Sequence, residues 1–204
     1  MIRVLIISGL LILFSLKIVA ENNSELILKK LNDMEIRLER IEKMILPFED
    51  KLKAESRRQT YRTNFNNRNK KDSENFSKED SKKIEKLYQV ANKDWRSDAA
   101  KKNIEELIDK YPGHNRTGCS ILYLAQWKDG DEAKKYLKIA IEKYNDSFYG
   151  DGVQVGAYAK FLLAKLLMSE NQKDEAANLF EDLRTNYKDA IDHKGNLLLD
   201  QFSK

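Results

Sequence analysis

Few side chains in this 204-residue sequence could do covalent or metal chemistry: one cysteine, Cys119, and two histidines, His114 and His193. A cysteine–histidine nucleophile needs the imidazole within hydrogen-bond reach of the thiol and a third group to orient the base. His114 stands in the turn-like run YPGHNRTG, shortly before Cys119, and His193 lies far downstream in another turn. The spacing supplies no orienting group for either. A structural zinc site draws on four ligands, usually with paired cysteines, and a single cysteine offers no pair. The expectation is a protein that is not an enzyme and uses no cofactor or metal. Its lone thiol then behaves as a small buried hydrophobe.

Binding chemistry is better represented. Between Ser56 and Lys71 stand Arg57, Arg58, Arg62, Arg68, Lys70 and Lys71 with no acidic residue, so this stretch carries +6 of a net charge of +4 and the remainder sums to −2. Basic residues interleaved with Tyr61 and Phe65 could grip nucleic acid or an anionic surface. In an exported chain the stretch reads as a solvated tether, with anionic lipid as a weak partner and nucleic acid excluded. A second candidate is Ser147–Gly156, SFYGDGVQVG. Its three glycines beside Phe148 and Tyr149 suit a tight loop presenting aromatics to a ligand; a longer turn with both rings packed in the core fits the pattern equally. Tyr123 and Trp127 complete the candidate partner-binding set of Phe148, Tyr149, Tyr123 and Trp127.

The elements that must carry these residues are helical. Charged residues make up 34% of the chain, there are only 2 prolines and 8 glycines, and mean hydropathy is −0.67, a profile of helices and polar connections. Residues 1–20 read as a signal peptide: a basic start at Arg3, an apolar run over Val4–Leu16 and a small residue at Ala20. The expectation is export to a periplasm. The alternative is an uncleaved anchor in the inner membrane, against which stand the shortness of the run and Lys17.

From Ile27 apolar residues recur at alternating steps of four and three. Ile27, Met34 and Ile41 take heptad position d, and Leu31, Leu38 and Ile45 take position a. Lys30 with Glu35, and Arg37 with Glu42, occupy g and the following e, so parallel partner helices would face opposite charges. Residues 21–55 are therefore expected to form a coiled-coil helix that makes the protein a homo-oligomer, dimer or trimer, with Pro47 ending the seam near Leu46. Residues 56–79, without a single Val, Ile, Leu or Met, are expected to be a disordered basic linker.

Residues 80–204 return to amphipathic hairpins. Ala100, Ile104, Leu107 and Pro112 set a spacing that recurs as Ala133, Leu137, Ala140 and again as Ala176, Phe180, Leu183. Leu124–Ala125 and Leu163–Ala164 place a large and a small residue side by side in the helices before them. Over about 80–190 the sequence resembles the tetratricopeptide repeat family, with three degenerate repeats; Asn145 and Lys188 stand where the family has proline, and Asn196–Phe202 reads as a capping helix. The resemblance implies an all-α solenoid that binds protein on its concave face. The order of signal, coiled coil, linker and repeats is also similar in layout to a family of periplasmic cell-division coordinators of the Tol system. The expected role is an exported interaction adaptor in the cell envelope, and the alternative is a membrane-held structural tether touching anionic lipid through 56–79.

Overall fold

The computed structural model describes residues 24–202, and the signal expected over 1–20 lies outside them. Among the described residues there are seven α-helices, one 3-10 turn and no strand. No described helix is long and apolar enough to cross a membrane. The chain divides into two units, the first ending at Leu52 and the second starting at Lys53.

In the first unit the described residues belong to one helix, α1 (Ser24–Asn75), which continues into the second unit. The interruption expected at Pro47 does not occur: α1 runs through it. A proline there removes one helical hydrogen bond, and the carbonyl left without a donor is that of Lys43, an exposed residue that water can serve. The apolar spacing therefore extends through Phe48 and Leu52. Nine of the ten exposed large hydrophobics, all but Met168, lie on Leu28–Leu52.

The second unit contains three helical hairpins, α2 (Lys78–Lys93) with α3 (Asp98–Lys110), α4 (Asn115–Trp127) with α5 (Gly130–Lys143), and α6 (Val155–Ser169) with α7 (Lys173–Asn186). Each second helix packs on its own first helix and, for α3 and α5, on the first helix of the next hairpin; α2, α4 and α6 also pack in series. The recurring triplets face this core. Ala100, Ile104, Leu107, Ala133, Leu137, Ala140, Ala176 and Leu183 are buried, and Phe180 half-buried. Ser77 and Ser97 cap α2 and α3, their hydroxyls accepting from the amides of Asp80 and Ala100 at 3.0 and 3.1 Å. All three second helices end on a tyrosine whose amide closes the last turn: Tyr111 on Leu107, Tyr144 on Ala140 and Tyr187 on Leu183.

Between α5 and α6, and again after α7, the chain makes the same small hairpin. Val155 donates to Ser147 and Tyr149 to Val153 in the first; Leu198 donates to Ala190 and Asp192 to Asn196 in the second. Each turns on a glycine with left-handed φ, Gly152 at +94° and Gly195 at +85°. The capping helix expected at Asn196–Phe202 is instead this second hairpin followed by a 3-10 turn, Leu199–Gln201. Its bonds to Ala190 and Asp192 compete with helix formation. Capping itself is done by Leu198, which is buried, and by Phe202, whose ring lies 4.2 Å from Phe180 and 5.5 Å from Phe161.

The residues expected to form a disordered linker are helical up to Asn75, and one stripe of α1 docks on the turns between hairpins. Arg58 donates to the Lys194 carbonyl. Tyr61 lies 6.1 Å from the Phe148 ring, and a Cβ on Gly152 would fall 2.6 Å from Tyr61 Cβ. Phe65 lies under the Arg116 guanidinium at 5.6 Å. Arg68 donates to the Gly113 carbonyl and pairs with Asp72, both side chains buried. Asp72 then accepts the Asn115 amide at 2.9 Å. The stripe 58, 61, 65, 68, 72 has helical spacing, but its members are arginines, aromatics and an aspartate. That composition is why hydropathy read the segment as disordered. Removing one partner of a buried, hydrogen-bonded pair strands the other, so Asp72→Ala should lower unfolding free energy by about 3–5 kcal/mol. Asn67→Ala, on the exposed side of α1, should change it by less than about 0.5 kcal/mol, both read from urea denaturation.

Candidate partner-binding site

The first helices of the first two hairpins and the two small glycine hairpins enclose an open cleft of about 340 Å³. Tyr88, Gln89 and Asn92 from α2, Arg116 and Tyr123 from α4, Tyr149, Gly150 and Asp151 from the first glycine hairpin and His193 from the second line it. Helical spacing puts Tyr88 and Asn92 on one face of α2, and Arg116 and Tyr123 on one face of α4. Tyr123 donates to Asn92 Oδ1 at 2.9 Å, and its hydroxyl lies 3.5 Å from that of Tyr88. Trp95 extends the aromatic wall, stacked on Tyr123 at 6.4 Å.

Charge is placed with equal care. Arg116 lies 4.3 Å over the Tyr88 ring and donates to Glu85 at 2.9 and 3.4 Å, a combined cation–π and ionic hold. His193 Nδ1 lies 2.8 Å from Asp151 Oδ2 and bridges the two glycine hairpins. The imidazole meets the edges of Tyr149 and Tyr158 at 4.9 and 5.3 Å. Burial opposes ionisation of Asp151, yet the hydrogen bond and charge of His193 and the Val153 amide hold its carboxyl below the ordinary value. Burial pushes the Tyr88, Tyr123 and Tyr149 phenols up, so they act as neutral hydrogen-bonding groups.

The four aromatics that the sequence grouped together are dispersed. Tyr123 and Tyr149 meet at the cleft, ring centroids 6.0 Å apart. Tyr149 is nevertheless buried, its hydroxyl donating to the Cys119 carbonyl at 2.7 Å. Phe148 is also buried, and the Asn115 side chain holds its backbone at both amide and carbonyl, 2.7 and 2.9 Å. Of the two readings of this loop, the packed one describes the structure. Trp127 packs elsewhere, beside Ala91, Ala100, Ile104 and Leu124. Sequence reasoning passed over Asn92 and Arg116 and gave no binding role to Asp151 or His193, all of which line the cleft. A signal for the last two existed: glycines 152 and 195 sit in turns matched residue for residue, with Tyr144 and Tyr187 leading into each.

Cys119 and His114 have structural work. The thiol is fully buried, donates to the Phe148 carbonyl and is pushed up to about 12 by burial. His114 Nδ1 accepts the Arg116 amide at 3.0 Å and caps α4. Burial lowers the His114 pKa, with Asp72 opposing, so the neutral, accepting ring is favoured. Among the described residues no group of three His, Cys, Asp or Glu side chains is placed to hold a metal ion.

The hairpin α6–α7 carries a family match. Residues 158–190 match the tetratricopeptide repeat family. This repeat takes in most of α6, all of α7 and the tyrosine that closes it; the two preceding hairpins pack in the same serial order. Neither a curated protein nor a solved structure matches the chain, so no homologue stands behind the likeness in layout to the Tol-system coordinators. Tetratricopeptide repeats generally mediate protein–protein contact, the fold is usually a non-enzymatic scaffold, and no catalytic family is indicated here.

Two measurements follow. Cys119 should stay unmodified by a thiol reagent at pH 8 in the native protein and react stoichiometrically in 6 M guanidinium, because only the thiolate attacks. Folding depresses the Asp151 carboxyl, so its ionised form stabilises the fold above about pH 4, and that contribution is lost as pH falls through the lower folded value. Asp151→Asn should therefore cost up to about 1 kcal/mol at pH 7 for this half-exposed pair. The difference between variant and parent should shrink in urea titrations as pH falls below about 4.

Proposed function

We propose that this chain is an exported, non-catalytic adaptor of the cell envelope that holds a protein partner in the cleft between α2, α4 and the glycine hairpins and self-associates through α1. The observation that carries the reading is the cleft itself. It is open, walled by the phenols of Tyr88, Tyr123 and Tyr149, and carries hydrogen-bonding groups on the first helices of consecutive hairpins, the surface on which such arrays take extended peptides. Rigid aromatic walls with a few fixed polar groups give contact area at low entropic cost. Export rests on the order of basic, apolar and small residues over 1–20, and the periplasm is the compartment it favours.

The alternative, a membrane-held tether whose basic stretch meets anionic lipid, draws less support. Arg58 and Arg68 are engaged with backbone carbonyls, Arg62 lies 3.6 Å from Glu55, and Lys71 lies 3.3 Å from Asp146. Three of the six basic residues, Arg58, Arg68 and Lys71, are engaged in docking α1, and Arg62 pairs within the helix.

A photo-crosslinking residue at Gln89, exposed at the cleft rim, and another at the exposed Lys165 of α6 test the adaptor reading in the native envelope. The expected result is a discrete protein adduct from position 89 that Asn92→Arg abolishes, with none from position 165. Equal adducts from both, or indifference to Asn92→Arg, would overturn the cleft assignment. N-terminal sequencing of the fractionated protein should begin at Glu21.

A further inference from the structure

A second surface of the repeat unit is shaped to receive a helix. Across α6, between α5 and α7, runs a groove whose two lobes measure about 580 and 430 Å³. They share Lys138, Glu142, Leu167 and Glu175, so the channel is continuous. Its floor is hydrocarbon: Ile139 and Ile141 from α5, Leu163 and Leu167 from α6, and Leu179 from α7. We infer that this groove docks an amphipathic helix of a partner protein, one that carries carboxylates along the flank facing the first turns of α5. The groove shares no residue with the cleft, so this goes beyond the adaptor reading above.

Register explains why the groove is open at this junction. The Leu124–Ala125 and Leu163–Ala164 pairs align α4 with α6, and the recurring triplets align α3, α5 and α7. Between the first two hairpins, Ile108 of α3 and Tyr136 of α5 pack beside Leu124. The matching residues at the next junction are Ile141, Leu179 and Leu163. A leucine thus stands where a phenol ring fills the space one hairpin earlier. α6 is also 15 residues long against 13 for α4, and its Leu167 takes the place that Lys128 holds in the earlier hairpin.

The floor decides the form of the occupant. An extended peptide laid on it would bury backbone amides and carbonyls against hydrocarbon, with no side chain to receive them. A helix satisfies those groups internally and presents apolar residues at i, i+3, i+4 and i+7. From Asp131 to Glu142 the α5 rim is about 16 Å long, enough for three helical turns. The rims decide the charge. Lys135 and Lys138 stand exposed on the α5 side, with Glu142 one turn further along, while Lys134 is tied to Asp131 and Glu170 at 2.8 Å each. The α7 side presents Gln172, Glu175 and Asn178. A carboxylate flank would therefore meet ammonium groups on one rim, and a base on the opposite flank would meet Glu175.

The test uses the full chain and two labelled synthetic helices of about 14 residues. Both carry leucines at helical spacing. One has glutamates along one flank and lysines along the other; its counterpart has lysines on both. Fluorescence anisotropy should show the glutamate peptide binding at least about ten-fold more tightly than the lysine peptide. Lys135→Glu with Lys138→Glu, both at exposed positions, should invert that preference. Leu179→Tyr, which copies the filled junction, should abolish binding while the thermal transition of the repeats is kept; the lysine exchange tests the groove whatever the stability of that variant. Asn92→Arg, in the cleft, should leave binding unchanged. Failure of the glutamate peptide to bind, equal affinity for both peptides, or indifference to the lysine exchange or to a folded Leu179→Tyr would overturn the inference. Loss of binding in Asn92→Arg would move the peptide to the cleft and overturn it as well. Self-association of the chain that Leu179→Tyr removes would make a second copy the occupant and overturn the assignment to a partner.

Discussion

The second unit is organised around a buried carboxylate. Asp72, on the last turns of α1, is ion-paired to Arg68 and accepts the first amide of α4 from Asn115. His114 Nε2 stands 3.6 Å away. Burying a charge is expensive unless partners surround it, and here the partners come from both sides of one junction. The Arg68 guanidinium also takes the Gly113 carbonyl, while the carboxylate sits at the positive end of α4. Because these bonds are directional, they fix the position of α1 along the repeats as well as the fact of contact. Phe65, Tyr61 and Arg58 then fall in turn on Arg116, the first glycine hairpin and the second.

The same junction orders the candidate cleft. Asn115 offers its backbone to Asp72 and its side chain to Phe148, so the start of α4 anchors α1 on one side and the glycine hairpin on the other. That places Tyr149 over Cys119 and leaves Asp151 to meet His193. Arg116, the next residue along, lies between Phe65 and Tyr88. The wall of the cleft and the seat of α1 are therefore not separable features. The wall is braced from behind by α1, with Phe65 against Arg116 and Gly150.

The three hairpins were legible because a triplet such as Ala100, Ile104 and Leu107 is apolar, periodic and repeated, and burial of such a stripe needs no information from elsewhere in the chain. The glycine hairpins were half legible. Gly152 stands out for its setting beside Phe148 and Tyr149, while Gly195, which turns in the same register, has Ile191 and Asp192 at the matching places, and its surroundings read as the approach to a helix. The docked part of α1 was not legible at all. Arg58, Arg68 and Asp72 are polar in every scale of hydropathy, and their burial is favourable only because Gly113, Lys194 and Asn115 stand ready with backbone groups.

What the sequence determined by itself is the set of faces whose stability is local: the seam spacing from Ile27, the capped amphipathic helices, and the repeat visible as a family match over 158–190. Helical period and capping depend on neighbours within a few residues, so one strand of letters is enough. Only the tertiary structure decided that Pro47 does not end α1, that Phe148 and Tyr149 are packed, and that Arg116, Asp151 and His193 share a wall. Pro47 is passed because the carbonyl it frees, that of the exposed Lys43, stays in water, while the other two depend on partners tens of residues away, Asn115 for Phe148 and His193 for Asp151, which local spacing does not name.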